Sequence, residues 1–233
     1  ISSAASDVYK RQNRICQIFR DGKYPSETGL LYPAELEWGG NCMPLEKPCR
    51  ELTEHQIPYD IVTRDWIMQA EIGDGFFEIN GCRMKNLVIP YGEGIPSDIV
   101  PMLKKMVEHQ VQIYFLDALP DVMLGFSKNQ EAFEYVQTHA SVIALEQLGE
   151  TLAEYRKVFF AQVQPDLAVG EYERDGQRYY MIFNENIGKT IRTEISLPHA
   201  EHVYRYDAFS GKTYEVSTCL LYTSPSPRDT ERS

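Results

Sequence analysis

Between residues 29 and 160 the chain alternates short apolar runs with amphipathic stretches, and few folds accept that pattern. "GLLYPAELEW", "YDIV", "NLVIPY" and "VQIYFLD" read as strands, while "PLEKPCRELTEHQI" and "PSDIVPMLKKMVEHQ" carry apolar residues at helical spacing. "VIALEQLGETLAEYRKVF" begins as a strand and continues as a helix. Strands separated by helices must lie parallel, because each helix carries the chain back to the same end of the sheet. The spacing therefore predicts α/β architecture with an open, doubly wound parallel sheet of flavodoxin or glutamine-amidotransferase type. "NLVIPY" is so uniformly apolar that it belongs at the centre, covered on both faces.

Local signals refine this. Asn80 and Gly81 sit between two strand-like arms in "FFEINGCRMK", a hairpin signature because both residues accept positive φ. Ser97 is placed to cap the helix that follows, and Pro48 is tolerated in its helix only if it lies in the first turn. From about residue 163 the period changes. "LAVGEYERDGQRYYMIFNEN", "KTIRTEISLP", "HVYRYDAFSG" and "KTYEVS" are strands with turn signals at Asp175-Gly176 and Ser210-Gly211, the opening of an incomplete antiparallel β-sandwich. "NRICQIFRDGKY", with Ile15, Ile18 and Phe19 on one helical face, reads as the end of a helix from a preceding domain.

Composition excludes some functions. A formal charge of -11 argues against a nucleic-acid partner, whose phosphates demand a basic face. No apolar run is long enough to suggest a membrane span. Five cysteines, Cys16, Cys42, Cys49, Cys82 and Cys219, lack the spacing of a zinc site or a disulfide framework, so neither metal nor cofactor is expected.

The candidate chemistry concentrates in "AELEW". Glu35 and Glu37, two residues apart at the carboxyl end of the first strand, would share one side of an extended segment, where open sheets place ligands. Paired carboxylates serve glycoside hydrolysis as acid and base, but they serve equally as a solvated rim or as anchors of the "GGNC" backbone. Trp38 beside them could stack on a sugar or join the core. Glu35, Glu37 and Trp38 are thus candidate substrate-binding residues, and no catalytic residue is assigned. "PYGEGIPSD" occupies the position of a phosphate-cradling loop but offers G-x-G-x-x-S and a repelling Glu93, with no Ser or Cys nucleophile at the turn. His55 and His109 fall at helix ends and Asp60, Asp65 and Asp117 at strand ends, where capping accounts for them.

The run "LLYPAELEWGGNCMPLEKPCRELTEHQIPYDIVTRDW", with "INGCRMKNLVIPYGEGIP" and the later "YYMIFNEN", resembles a segment of large bacterial glycoside hydrolases. The resemblance points to α-L-rhamnosidases of glycoside hydrolase family 106; the family 42 β-galactosidases have a similarly placed α/β domain. It implies a catalytic (β/α)8 barrel before residue 13, an amidotransferase-like domain over 28–162 and a β-sandwich from 163. Residues 13–27 would then be the end of the barrel, and its catalytic carboxylates would lie outside this chain. The parent enzyme would act on terminal L-rhamnosides of plant polysaccharides, in a periplasmic or secreted setting. Two rival expectations are a β-galactosidase-like parent in which this domain makes oligomer contacts, and a free-standing sugar-binding or flavodoxin-like module without catalysis.

Both termini carry a further oddity. With permitted codons Ser2–Gln12 can be encoded by DNA containing AGATGTGTATAAGAGACA, and Cys219–Ser224 by its reverse complement, a pair resembling a transposon-based sequencing adapter. Residues 1–12 and 219–233 are therefore expected to be translated library sequence. Genomic reads through the codons for Asn13 and Thr218 are expected to depart from both tails, and intact genomic DNA encoding them would overturn this expectation.

Overall fold

A computed structural model describes residues 3–126, 129–197 and 202–216, with side chains from residue 9 onward. The chain divides into two compact units, one running Asp21–Leu197 and the other combining the N-terminal helix with the last two described strands.

In the smaller unit, α1 (Ser3–Phe19) includes most of the segment assigned above to the N-terminal tail. Arg14, Ile15, Ile18 and Phe19 are its partly buried positions, the spacing expected of one helical face. The Arg14 guanidinium donates to the carbonyls of Ala208 at 3.0 Å and Phe209 at 2.6 Å, at the turn of the terminal hairpin.

The larger unit opens with β1 (Thr28–Leu31), α2 (Glu46–Glu54), β2 (Asp60–Val62) and α3 (Arg64–Gln69). Pro48 falls in the first turn of α2, so its missing N–H removes no bond the helix would have made. Thr63 caps α3, its hydroxyl accepting from the Trp66 N–H at 3.4 Å. A small antiparallel sheet follows, β3 (Glu71–Gly73), β4 (Phe76–Ile79) and β5 (Cys82–Met84). Its β4–β5 turn is the expected Asn80-Gly81 pair, with φ of 51° and 79°.

Next come β6 (Asn86–Ile89), β7 (Gly94–Pro96), α4 (Val100–Glu108), β8 (Gln112–Leu116), β9 (Val122–Leu124), α5 (Gln130–His139), β10 (Ser141–Ile143) and α6 (Leu148–Thr151). Ser97 does not cap α4. The helix starts three residues later, after Ile99 and with Pro101 in its first turn, while Ser97 is buried and its backbone bonds Leu124 and Asn129. The helix expected after residue 144 shortens to α6 flanked by 3-10 turns.

Strands β1, β2, β6, β8 and β10 form one parallel sheet in the order β10-β8-β6-β1-β2. Counted within the sheet that is 2-1-3-4-5, the flavodoxin-like order, with its reversal between β1 and β6. Alternate residues of these two strands feed opposite cores. Leu31, Leu87 and Ile89 face α4, α5 and the β3–β5 sheet, whereas Leu30 and Val88 face α2 and α6. The reversal accounts for this division, since crossovers of one hand that run in opposite directions leave their helices on opposite faces.

The antiparallel strands expected after residue 163 are in two-stranded pairs: β12 (Leu167–Arg174) with β13 (Gln177–Asn184), β14 (Ile195–Ser196) with β11 (Phe159–Phe160), a strand in a stretch expected to be helical, and, in the smaller unit, β15 (Val203–Asp207) with β16 (Lys212–Val216). Residues 219–233 lie outside the described part.

Gly29 in β1 has no room for a side chain, because an added Cβ would sit 2.9 Å from the Phe77 ring and 3.1 Å from the Met84 sulfur, both buried. Gly29→Ala is expected to cost about 1–3 kcal/mol of unfolding free energy by overpacking. Gly188→Ala, whose added methyl meets nothing closer than 3.7 Å, should stay within about 0.5 kcal/mol of the parent; urea melts of both variants check the contrast.

Candidate functional site

The sheet order directs attention first to the carboxyl ends of β1 and β6, on either side of the reversal. The chain leaves β1 through Pro33, turns, and coils into a 3-10 turn over Leu36–Gly39. Glu35 is in the right-handed helical region, so Glu35 and Glu37 do not share one side of an extended segment. Three residues per turn carry positions i and i+2 to well-separated directions. The cause is Leu36, which is 2% exposed and turns inward as the anchor of the coil. Glu37 and Trp38 face solvent, and Trp38 at 82% exposure is not a core residue.

Leu36 fills the reversal point itself. Its side chain packs so closely on Gly92 that a Cβ there would lie 2.9 Å from it. Backbone bonds then close the two loops over it, Met43 N–H donating to the Tyr91 carbonyl at 2.8 Å and Glu93 N–H to the Asn41 carbonyl at 3.0 Å. The Glu93 carboxylate accepts from Asn41 Nδ2 at 2.6 Å, and the Glu93 carbonyl accepts from the Asp121 and Val122 N–H groups. Glu93, which would repel a phosphate, thus serves as the tie of its own loop. Beside it, Arg64 reaches both carboxylate oxygens of Asp98 and also bonds Asp65. The Arg64 hydrogen bonds hold the Asp98 carboxyl below the usual carboxylate range, against the opposing effect of burial. His55 and His109 end α2 and α4, as expected of capping residues. Asp117 accepts from the Leu145 N–H at 2.9 Å.

An open cavity lies at the other end of β1 and β6. A cleft of about 600 Å³ is lined by Asp21 and residues 23–27, which lead into β1, by the β4–β5 turn, by Lys157 and by the β12–β13 hairpin. Glu27 stands at its edge, its two oxygens 2.5 Å from Lys85 Nζ and 2.8 Å from Lys157 Nζ. Burial opposes ionisation of Glu27, but the two lysines outweigh it and hold the carboxyl below its ordinary value. Tyr24, whose phenol burial pushes up to about 12, lies with its ring tilted against Tyr172 at 6.1 Å.

Glu171 is the unusual member. It is 3% exposed, its Oε1 lies 4.0 Å from Arg178 Nε, and its Oε2 has no hydrogen-bond partner. Burial raises its pKa above the ordinary value, Arg178 and Lys157 partly compensate, and Glu173 and Glu27 push further upward.

Sequence reasoning singled out none of these groups. Glu27 and Lys157 are 130 positions apart, and only the fold joins them. One signal was present, since Glu171 interrupts the inward face of β12 that Leu167 begins.

The described residues hold no cluster of His, Cys, Asp and Glu that could ligate a metal, and Cys16, Cys42, Cys49 and Cys82 are free thiols. Among them no helix is long and apolar enough to cross a membrane.

Neither a protein-family model nor a curated protein matches the sequence. Solved structures do match the fold. A catalytic mutant of Gan42B, a GH42 β-galactosidase from G. stearothermophilus, aligns with a TM-score of 0.57 at 13% identity, over 90% of this chain and 41% of that one. A second Gan42B structure gives 0.53 at 13% identity, over 82% and 38%. The chain spans about two fifths of the length of these proteins. The likeness shows a fold shared with part of these structures.

Because the Glu171 pKa is raised on folding, its ionisation disfavours the native state. The penalty is absent below the ordinary value of 4.5, grows as pH rises toward the raised pKa, and is complete above it. Glu171→Gln is therefore expected to raise the urea midpoint at pH 8 and to leave it unchanged at pH 4, as read by parallel denaturation curves.

Proposed function

We propose that the chain is a non-catalytic α/β region of a glycoside hydrolase whose hydrolytic carboxylates lie elsewhere in the parent protein. The observation that carries this reading is the blocked reversal point. At the place where a sheet of this order receives a ligand, Leu36 occupies the crevice and the Asn41, Met43, Tyr91 and Glu93 backbones close it. Such a sheet retains the architecture of a ligand-binding fold while its crevice serves packing. The separation of Glu35 from Glu37 around a 3-10 turn supports the same conclusion, since a paired acid and base must converge on one bond.

The Gan42B likeness over nine tenths of this chain favours a β-galactoside as the parent's substrate. A second reading, a parent acting on α-L-rhamnosides, draws its support from the "AELEWGGNC" to "YDIV" run. In either parent the exposed Trp38, with Glu35 and Glu37 beside it, would meet either the sugar chain or a neighbouring domain. Trp38 adjoins Gly39, which packs against Leu124, and Val122 and Phe126 close to Leu124 are also exposed, so the apolar rim extends past the turn. A surface of that kind suits contact with another domain or a second copy better than it suits water.

The parent reading frame recovered from the source DNA, expressed beside the 233-residue chain, tests the proposal with p-nitrophenyl β-D-galactoside and p-nitrophenyl α-L-rhamnoside. The expected outcome is turnover by the parent, of the galactoside in preference to the rhamnoside, and none by the chain. Hydrolysis by the chain itself that disappears in Glu35→Gln or Glu37→Gln would overturn the non-catalytic role.

A further inference from the structure

The cleft at the amino ends of β1 and β6 has the features of a binding site, and its ligand chemistry follows from its own side chains whatever bond the parent cleaves. Its lining holds five basic and five acidic residues, so it presents no net field to select an anion or a cation. Its volume, about 600 Å³, lies in the range of small-ligand sites.

Within it the charges are unequally satisfied. Glu27 is saturated by Lys85 and Lys157, whereas the buried Glu171 makes no bond through Oε2 and faces Arg178 only at 4.0 Å. A buried oxygen without a partner costs free energy that a ligand can recover. Arg178 and Lys157 bring donors to the same place, and an acceptor oxygen between them and Glu171 would be held by charge-assisted bonds. A hydroxyl both donates to Glu171 and accepts from a cation through a single oxygen. A carboxylate ligand would satisfy the cations but meet Glu171 oxygen to oxygen; an ammonium would do the reverse.

We infer that this cleft binds an uncharged, polyhydroxylated ligand of mono- or disaccharide size, with the Glu171 carboxylate as the central hydrogen-bonding group and Arg178 and Lys157 as the flanking donors. The half-buried Tyr24 ring at the wall offers the apolar face on which the C–H side of a sugar packs.

Calorimetric titration of the full chain with galactose, rhamnose and lactose, and with galacturonate and glucosamine as charged counterparts, tests the inference. The neutral sugars are expected to bind, with the two charged probes weaker. Glu171→Gln should weaken neutral-sugar binding by about tenfold, the scale of one hydrogen bond to a charged group, with the native circular dichroism retained. Arg178→Gln, at a half-exposed side chain, should weaken the same sugars by about fivefold, as loss of one donor implies, with the native circular dichroism again retained. Absence of binding by every neutral sugar would overturn the inference. So would binding that both variants leave unchanged, or preferential binding of galacturonate or glucosamine. None of these outcomes depends on the hydrolysis assay, which reads the parent's chemistry.

Discussion

The packing of β1 against β6 is the constraint on which the larger unit depends. All four residues of each strand are buried, and successive side chains enter cores on opposite faces of the sheet. A strand buried on both faces tolerates neither a shift of register, which exchanges the side chains of the two cores, nor a charged substitution, which places a charge in one of them. Gly29 adds a steric condition, because its missing side chain is what lets the β3–β5 sheet come down onto β1. The covering helices are then free to be short. Leu52 from α2 and Leu148 from α6 close one side, while Leu103 from α4 with Phe133 and Val136 from α5 close the other.

The two ends of this strand pair have different roles. At the carboxyl ends, apolar contact and backbone hydrogen bonding consolidate the loops, and Arg64 is paired with Asp98. Charge at the amino ends borders open space, and one carboxyl remains both buried and incompletely bonded. A fold of this sheet order can therefore retain the sheet while the usual crevice is closed. Fold likeness alone would have sent attention to the sealed end.

How much of this was legible in the sequence follows from the range of the forces involved. The alternation of elements, the Asn80-Gly81 turn and the central placement of "NLVIPY" are local or nearly local properties, and the structure has all three. The β7–β9 pair was not read, because it is held by partners 28 positions apart. "AELEW" was read as extended because it continues the preceding strand. The burial of Leu36, a tertiary effect, turned it into a coil and separated Glu35 from Glu37. Ser97 has the residue type of a helix cap, yet its engagement with Leu124 and Asn129 displaced the helix start. The Glu171 site depended wholly on long-range assembly, and the only trace in the sequence was a carboxylate at an inward position of a strand.

The parallel sheet ends on β2 and β10, each three residues long, with Ile61 and Val142 partly exposed on them. Every sheet edge carries unpaired amide groups that can recruit another chain, and the reach of that recruitment scales with edge length. Here a recruited strand could extend the ladder over only three residues on either side, too little for a pairing that survives alone in water. The brevity of the outermost strands thus limits edge-to-edge pairing of this sheet, whose interior strands are strongly apolar.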